Sequence, residues 1–407
     1  METSKEQRKV FSALAWYAIG ILLFFVSVAA VLKMIDLKVD FPAHTGVAAK
    51  ITWEALRHPL TFFERNYYPV WHLLTWFTMN IFGCSVRSAA AAVTGGCIVG
   101  TWACAAFYFS RRYHDEEIDV ARAASVLLML VSPIWLPFFN PDILLGQGHP
   151  NLLHSPTHIM VRLTAFPCFA CYAAVLDGIG RESASRIRVC KIIALSAFVL
   201  LATLSKPSFA QMFFPAIFLL VIFKIIKYRK IAILPSVAVL VSLAPVLLLM
   251  GFQAWLAFDS PNASDSGVDI AFLKMWARFS PNVFVSIMLA ILFPLIVLLW
   301  SIRTRKVSTA DVLAWTMCGV AATEAAFLIE RGRRMWHGNL CWAWSLSLFF
   351  IWVVAIDRFI LLTKEHVRKT IDLEQSWWFW SAVVVLSLHL VSGLCYLWRV
   401  LAFGVWR

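Results

Sequence analysis

Three groups of side chains have the types and spacing that chemistry needs. The first is Asp36, Asp40 and His44, in the stretch Asp36-Leu-Lys-Val-Asp40-Phe-Pro-Ala-His44-Thr-Gly. Pro42 close behind Asp40 fits a helix that starts there, with Asp40 as its cap and His44 one turn further on the same side. Two readings of this pair stand side by side. Either Asp40 merely caps the helix while His44 decorates an interface, or the carboxylate serves as general base toward a hydroxyl while the imidazole orients or tunes it.

The second group is the segment 140–158, which holds Asn140, Asp142, His149, Asn151, His154 and His158 among glycines and prolines. Such a segment is irregular and polar. In a membrane protein that backbone is tolerated only where it meets water or lines a cavity. His154 and His158 have an i, i+4 spacing that can bind a metal, but Pro156 lies between them and no third ligand is obvious. A hydrogen-bonding floor for a sugar or a phosphate, built with Asn151 and His154, fits better.

The third group is cationic: Arg162, Lys206, and Arg331, Arg333 and Arg334 just before His337. Lys206 sits between two apolar runs with almost no loop around it, a costly place for a charge without a partner. The cations either snorkel and pair with Glu324 or Glu330, or converge on a phosphate or pyrophosphate, which Arg grips bidentately and Lys as a point charge. Convergence is favoured, because a chain whose other cations obey the positive-inside tendency places these outside.

The elements that must position these groups follow from composition. Of 407 residues, 61% are hydrophobic and only 14% charged, about half the charged share of a soluble domain. Apolar runs cover 10–32, 86–109, 121–139, 159–176, 190–205, 208–226, 231–257, 281–301, 309–329, 340–363 and 377–401. The expected architecture is therefore one all-α integral-membrane domain over 1–407, with about eleven transmembrane helices. Within it, 10–32 is an uncleaved first span, 33–85 an outer segment with juxtamembrane helices, and 86–401 the remaining spans.

The segment 68–83 is a twelfth apolar candidate, but it is short and holds His72 and Asn80. Charge decides its status. If it does not cross, 21 of the 36 Lys and Arg lie on the cytoplasmic side; if it crosses, only 13 do. The positive-inside tendency favours the first arrangement, so 68–83 is an interfacial or re-entrant helix, with the N-terminus cytoplasmic and the C-terminus outside. The net charge of +13 is thereby explained by membrane orientation and anionic lipid, and nucleic acid is not an expected partner. Seven histidines (His44, His58, His72, His149, His154, His158 and His337) then fall on the outer side, where reactive groups collect.

Other signals are bland. Most of the nine cysteines lie inside apolar runs, and Cys168 and Cys171 form a lone CxxC without a second pair, which reads as packing. No GxGxxG, Walker loop, HExxH or GxSxG occurs, so nucleotide-driven transport, metalloprotease and ordinary serine-hydrolase activities lack support.

One layout carries a resemblance: an acidic residue after the first span (Asp40, with His44), then a juxtamembrane helix entered through Tyr67-Tyr68-Pro69-Val70-Trp71 and left through Phe82-Gly83-Cys84-Ser85-Val86-Arg87. The second span then ends in Ser110-Arg111-Arg112. Over roughly the first 230 residues this resembles the GT-C superfamily of polytopic glycosyltransferases, which take sugar from a polyprenyl-phosphate carrier on the outer side of the membrane. The resemblance implies an inverting transferase of the bacterial cell membrane that modifies a cell-envelope glycan or lipid. Asp40 would deprotonate the acceptor hydroxyl, while Arg162, Lys206, Arg333 and Arg334 are candidates for the carrier phosphate. Many members carry a second outer acidic motif that can hold a divalent metal; here the matching region offers only Asp142 beside Asn140. A lipid-linked saccharide flippase, or a polysaccharide polymerase or ligase, would use similar groups and stands as the alternative.

Overall fold

The computed structural model describes residues 2–37, 40–111, 118–139, 148–180, 189–258, 267–332, 335–368 and 373–404. The chain opens with α1 (Glu2–Ile35), followed by four short helices: α2 (Asp40–Ala49), α3 (Trp53–Arg57), α4 (Pro59–Arg65) and α5 (Val70–Phe82). Next come α6 (Val86–Ser110), α7 (Ile118–Leu130), α8 (Pro156–Gly178), α9 (Val189–Ser205), α10 (Ser208–Tyr228) and α11 (Lys230–Phe258). After them lie β1 (Val268–Ile270), α12 (Lys274–Phe279), α13 (Val283–Arg303), α14 (Thr309–Phe327), β2 (Leu328–Glu330), α15 (Trp342–Val367) and α16 (Leu373–Phe403).

Among the described residues, eight helices are long and apolar enough to cross a membrane: α1, α6, α8, α10, α11, α13, α15 and α16. The chain is an all-α polytopic membrane protein. Of the remaining expected spans, α9 is apolar but only 17 residues long. The helix α14 carries Asp311, Thr316, Thr323 and Glu324 and is the more polar for it. Helices α8 and α15 form the axis of the bundle, with 72% and 83% of their apolar windows buried, against 22–44% for the other six. Their side chains interleave with α10 through Phe169, Phe209, Phe213 and Phe350.

The run 121–139 departs from the expected span. It is helical only to Leu130, after which 131–136 is neither helix nor strand, as Pro133 and Pro137 disfavour the helical conformation of the residues before them. Irregular backbone inside an apolar bundle needs external partners. Neighbouring helices supply them: Ile134 N–H donates to Leu289 O at 2.9 Å, Trp135 N–H to Ser392 Oγ at 3.0 Å, and His389 Nδ1 to Ser132 O at 2.6 Å. The approach is so close that a Cβ on Gly393 would stand 1.7 Å from Leu130 O. Only glycine fits there.

The segment 68–83 folds as α5, 13 residues ended by Gly83 in the left-handed conformation at φ 58°, a helix stop that favours glycine. At about 1.5 Å per residue its length is near 20 Å, short of a hydrocarbon core of about 30 Å. The outer segment before it is tied to α6: Arg87 forks onto both carboxylate oxygens of Asp36. Asp36 is thus engaged in holding the α1 end and lies outside any reactive cluster. A two-stranded ribbon, absent from an all-α expectation, joins β1 to β2 in antiparallel register with Val268 opposite Glu330. Arg331 Nε donates to Asp269 Oδ1 at 2.7 Å beside it.

Candidate functional site at the start of α2 and α8

Asp40 is the first residue of α2 and half-buried, with His44 one turn further. The position of α2 is fixed from below. Trp71 of α5 donates from Nε1 to Thr94 Oγ1 on α6 at 3.1 Å, and buried Phe41 packs edge-on against Trp71 with centroids 6.4 Å apart. His44 Nδ1 stands 2.9 Å from His72 Nε2, so one imidazole donates to the other. Burial pushes His44 down to about 4, partly opposed by the Asp40 carboxylate, and His72 down to about 3. Both rings are therefore neutral at pH 7.

Lys206 occupies the short link between α9 and α10, with its main-chain N–H on Ala202 O at 3.0 Å. Only 6% of the residue is exposed. Its Nζ donates to Thr157 Oγ1 at 3.2 Å and lies 4.4 Å from the Trp342 ring centroid. Burial lowers the ammonium to about 8, with the Asp40 carboxylate pulling the other way. The rings of His154 and His158 pack on the same indole at 5.2 and 5.4 Å. His154 is held down to about 4 by burial and feels both Asp40 and Lys206. Asp40, His44, His154 and Lys206, drawn from separate stretches of chain, thus share one electrostatic environment.

Beside Lys206 opens a cavity of about 170 Å³ whose walls include Trp342, Tyr67, Tyr68, Gln253 and Glu330. The antiparallel ribbon delivers Glu330, whose Oε2 accepts from Asn339 Nδ2 at 2.7 Å. Gln253 Nε2 donates to Tyr67 O at 2.5 Å and so joins α11 to the segment before α5. The lining of this space offers a cation, acceptors and aromatic rings.

The other sequence-based candidates separate. Arg162 is buried, and its guanidinium donates to Pro150 O at 3.1 Å, Asn151 Oδ1 at 2.8 Å and Leu152 O at 3.5 Å. Asn151 Nδ2 in turn donates to Leu128 O at 2.6 Å and Val131 O at 3.0 Å. Both side chains clamp the irregular segment in place, with Nε of Arg162 left without a partner. His337 is exposed and does not line the cavity. Arg333 and Arg334 lie outside the described residues, as do Asn140 and Asp142. Among the described residues no three His, Cys, Asp or Glu converge as metal ligands.

Sequence reasoning missed Trp342, Thr157 and His72 as members of the site. Trp342 starts an apolar run and gives no sign there of its polar neighbours; His72 was visible only as a polar residue in a short helix. Neither a family model nor a curated protein sequence matches this chain.

Proposed function

We propose that this protein is an inverting membrane glycosyltransferase that moves a sugar from a polyprenyl-phosphate carrier to a hydroxyl of a glycan or lipid acceptor. In this reading the chain crosses a bacterial cell membrane about eleven times with its N-terminus cytoplasmic, and the cavity beside Lys206 opens outside. The observation that carries it is a pair of opposite charges left unjoined beside a cavity: Lys206 lines the cavity, and the Asp40 carboxylate reaches Lys206 electrostatically without an ion pair between them among the described contacts. A paired carboxylate and ammonium would neutralise each other. Kept apart, each remains available to a reactant.

The chemistry balances. Asp40 takes the proton from the acceptor hydroxyl as its oxygen bonds to the anomeric carbon, and the bond from that carbon to the phosphate oxygen breaks. The electron pair goes to the leaving phosphate, whose growing charge Lys206 faces. The neutral pair His44 and His72 packs α2 without adding a competing charge, so the carboxylate is the group that accepts the proton. Asp40 is the first residue inside α2 rather than its cap; Asp40→Asn is close to isosteric and removes the base, so the variant inserts and folds but transfers no sugar from a polyprenyl-phosphate donor in proteoliposomes. Full activity in Asp40→Asn would end this assignment.

A further inference from the structure

We infer that a second cavity, walled by the end of α2 and by α3 and α4, seats a saccharide, and that the acceptor is a glycan chain and not a free lipid. The role of the bound saccharide rests on the transferase reading; the cavity and the chemistry it selects do not.

The cavity measures about 310 Å³, with Ile51, Ala55 and Phe62 on its apolar side. Its walls are anchored to separate parts of the bundle. Trp53 of α3 packs edge-on against Trp76 of α5 with centroids 4.6 Å apart, and Phe63 of α4 packs against Phe252 of α11 at 6.2 Å. Thr52 Oγ1 accepts from Ala55 N–H at 3.1 Å and caps α3. Packed helices, not a loose loop, therefore set its shape.

The polar lining is mixed. The two carboxylate oxygens of Glu54 meet Arg57 Nη1 at 3.3 Å and His58 Nε2 at 3.2 Å, while 67% of the side chain stays exposed. A carboxylate has about four acceptor sites, so capacity is left over. Lys50 lines the same space, is exposed, and forms no ion pair among the described residues. Asn66 donates from Nδ2 to Phe62 O at 3.2 Å, which leaves its Oδ1 buried at the cavity wall without a partner. An acceptor in that state marks a missing donor.

This lining selects among ligands. An anion meets the Glu54 carboxylate, and an acyl chain leaves the polar groups without partners. A peptide is commonly held through main-chain bonds to a strand edge, whereas these walls are helices whose backbone bonds are largely spent internally. Saccharide hydroxyls both donate and accept, and the C–H face of the ring suits Ile51 and Phe62. Position supplies the role. Asn66 lines this cavity, and the next two residues, Tyr67 and Tyr68, line the one beside Lys206. The Tyr68 ring centroid stands 6.1 Å from that of His44. The helix α2 has Asp40 at its start and Val47, in the cavity wall, in its last turn, so its length of about 15 Å separates seat from base. A glycan held in the second cavity reaches Asp40 with a terminal hydroxyl.

Ligand-observed NMR titration of the detergent-solubilised full-length protein tests this. The probe is the oligosaccharide fraction released by mild acid from the envelope of a strain lacking this protein, where unmodified acceptor accumulates. Phospholipids and envelope peptides of the same strain are the comparison probes. The oligosaccharide binds. Glu54→Gln weakens it about tenfold and Lys50→Met several-fold, as expected for lost charge-assisted hydrogen bonds, while Ala55→Trp fills the cavity and abolishes binding. Glu54 and Lys50 are exposed, so the unfolding midpoint holds in their variants. In turnover, Glu54→Gln raises the acceptor KM about tenfold with kcat kept, a split that a merely structural role does not produce.

Absence of saccharide binding, or binding unchanged in both Glu54→Gln and Ala55→Trp, overturns the seat. Binding of the phospholipid or peptide fraction alone, lost in Ala55→Trp, gives the cavity to that class and overturns it equally. The two readings fail separately. Glu54-dependent saccharide binding with no sugar transferred to that saccharide removes the transferase and leaves the seat. Intact transfer with unchanged acceptor KM in Glu54→Gln and Ala55→Trp removes the seat and leaves the transferase.

Discussion

The two ends of α8 lie about 34 Å apart at 1.5 Å per residue, and they treat buried charge in opposite ways. At the C-terminal end the acidic groups Asp311 and Asp177 both have partners. Asp311 caps α14, accepting from Ser308 N–H at 2.6 Å and Ser308 Oγ at 2.7 Å, and it also accepts from Arg358 Nε at 2.9 Å. Asp177 accepts from Thr309 Oγ1 at 2.8 Å across to the same helix start. At the N-terminal end, Lys206 has a hydroxyl and an indole face, and Asp40 stands apart from it. A closed network stabilises a geometry, and an open one of similar burial stores binding capacity for something else. The difference separates structural charge from working charge without any reference to residue type.

That contrast can be broken in four ways. The largest effect belongs to Asp40→Asn: loss of a general base lowers transfer by about 10²–10⁴-fold while the unfolding midpoint holds. A variant that loses stability and activity together would return Asp40 to a structural role in the first turn of α2. Next, Asp311→Ala leaves Arg358 buried and unpaired, and lowers stability by about 3–5 kcal/mol in denaturant unfolding of the solubilised protein. The opposite end predicts the reverse sign: Lys206→Met removes an unpaired buried charge, so stability stays level or rises. A matching loss in both variants would erase the distinction between the two ends.

A smaller effect is set by pH. The Lys206 ammonium titrates at about 8 in the folded protein, against 10.5 for an unperturbed lysine. Phosphate affinity is therefore flat below pH 8 and declines above it as the ammonium loses its proton; Lys206→Arg removes that decline. Stability runs the other way. Between about 8 and 10.5 the unfolded chain binds more protons than the folded one, so the anion-free protein gains stability as pH rises through that window. The smallest effect is that of His72→Leu, which frees the His44 ring from its imidazole partner. Transfer falls several-fold and phosphate binding does not move, while His72→Gln, able to hydrogen-bond His44, recovers most of the rate.

Parts of this site were legible in the sequence for a simple reason: a charged or cap-forming residue in an apolar chain is conspicuous. Asp40, His44 and Lys206 stood out on those grounds, and the structure gathers them. Arg162 and Asn151 stood out equally and turned out to clamp main chain, because residue type says that a buried donor needs a partner but not which partner it finds. Trp342 was hidden among aromatic and aliphatic neighbours of the same run. The break after Leu130 was hidden too, since an apolar run reads the same whether its backbone bonds to itself or to α13 and α16.

What the sequence alone determined is the solvent and the class of fold. Its apolar runs, being of membrane length, require helices, since a chain in lipid must satisfy its own backbone hydrogen bonds. It also fixed where helices start and stop, through Pro42, Ser85, Gly83 and the Ser308 and Asp311 capping box. Tertiary structure alone decided which charges are closed into pairs and which are left open. Pairing depends on distances between helices far apart in the chain, and neither hydropathy nor local propensity encodes those distances.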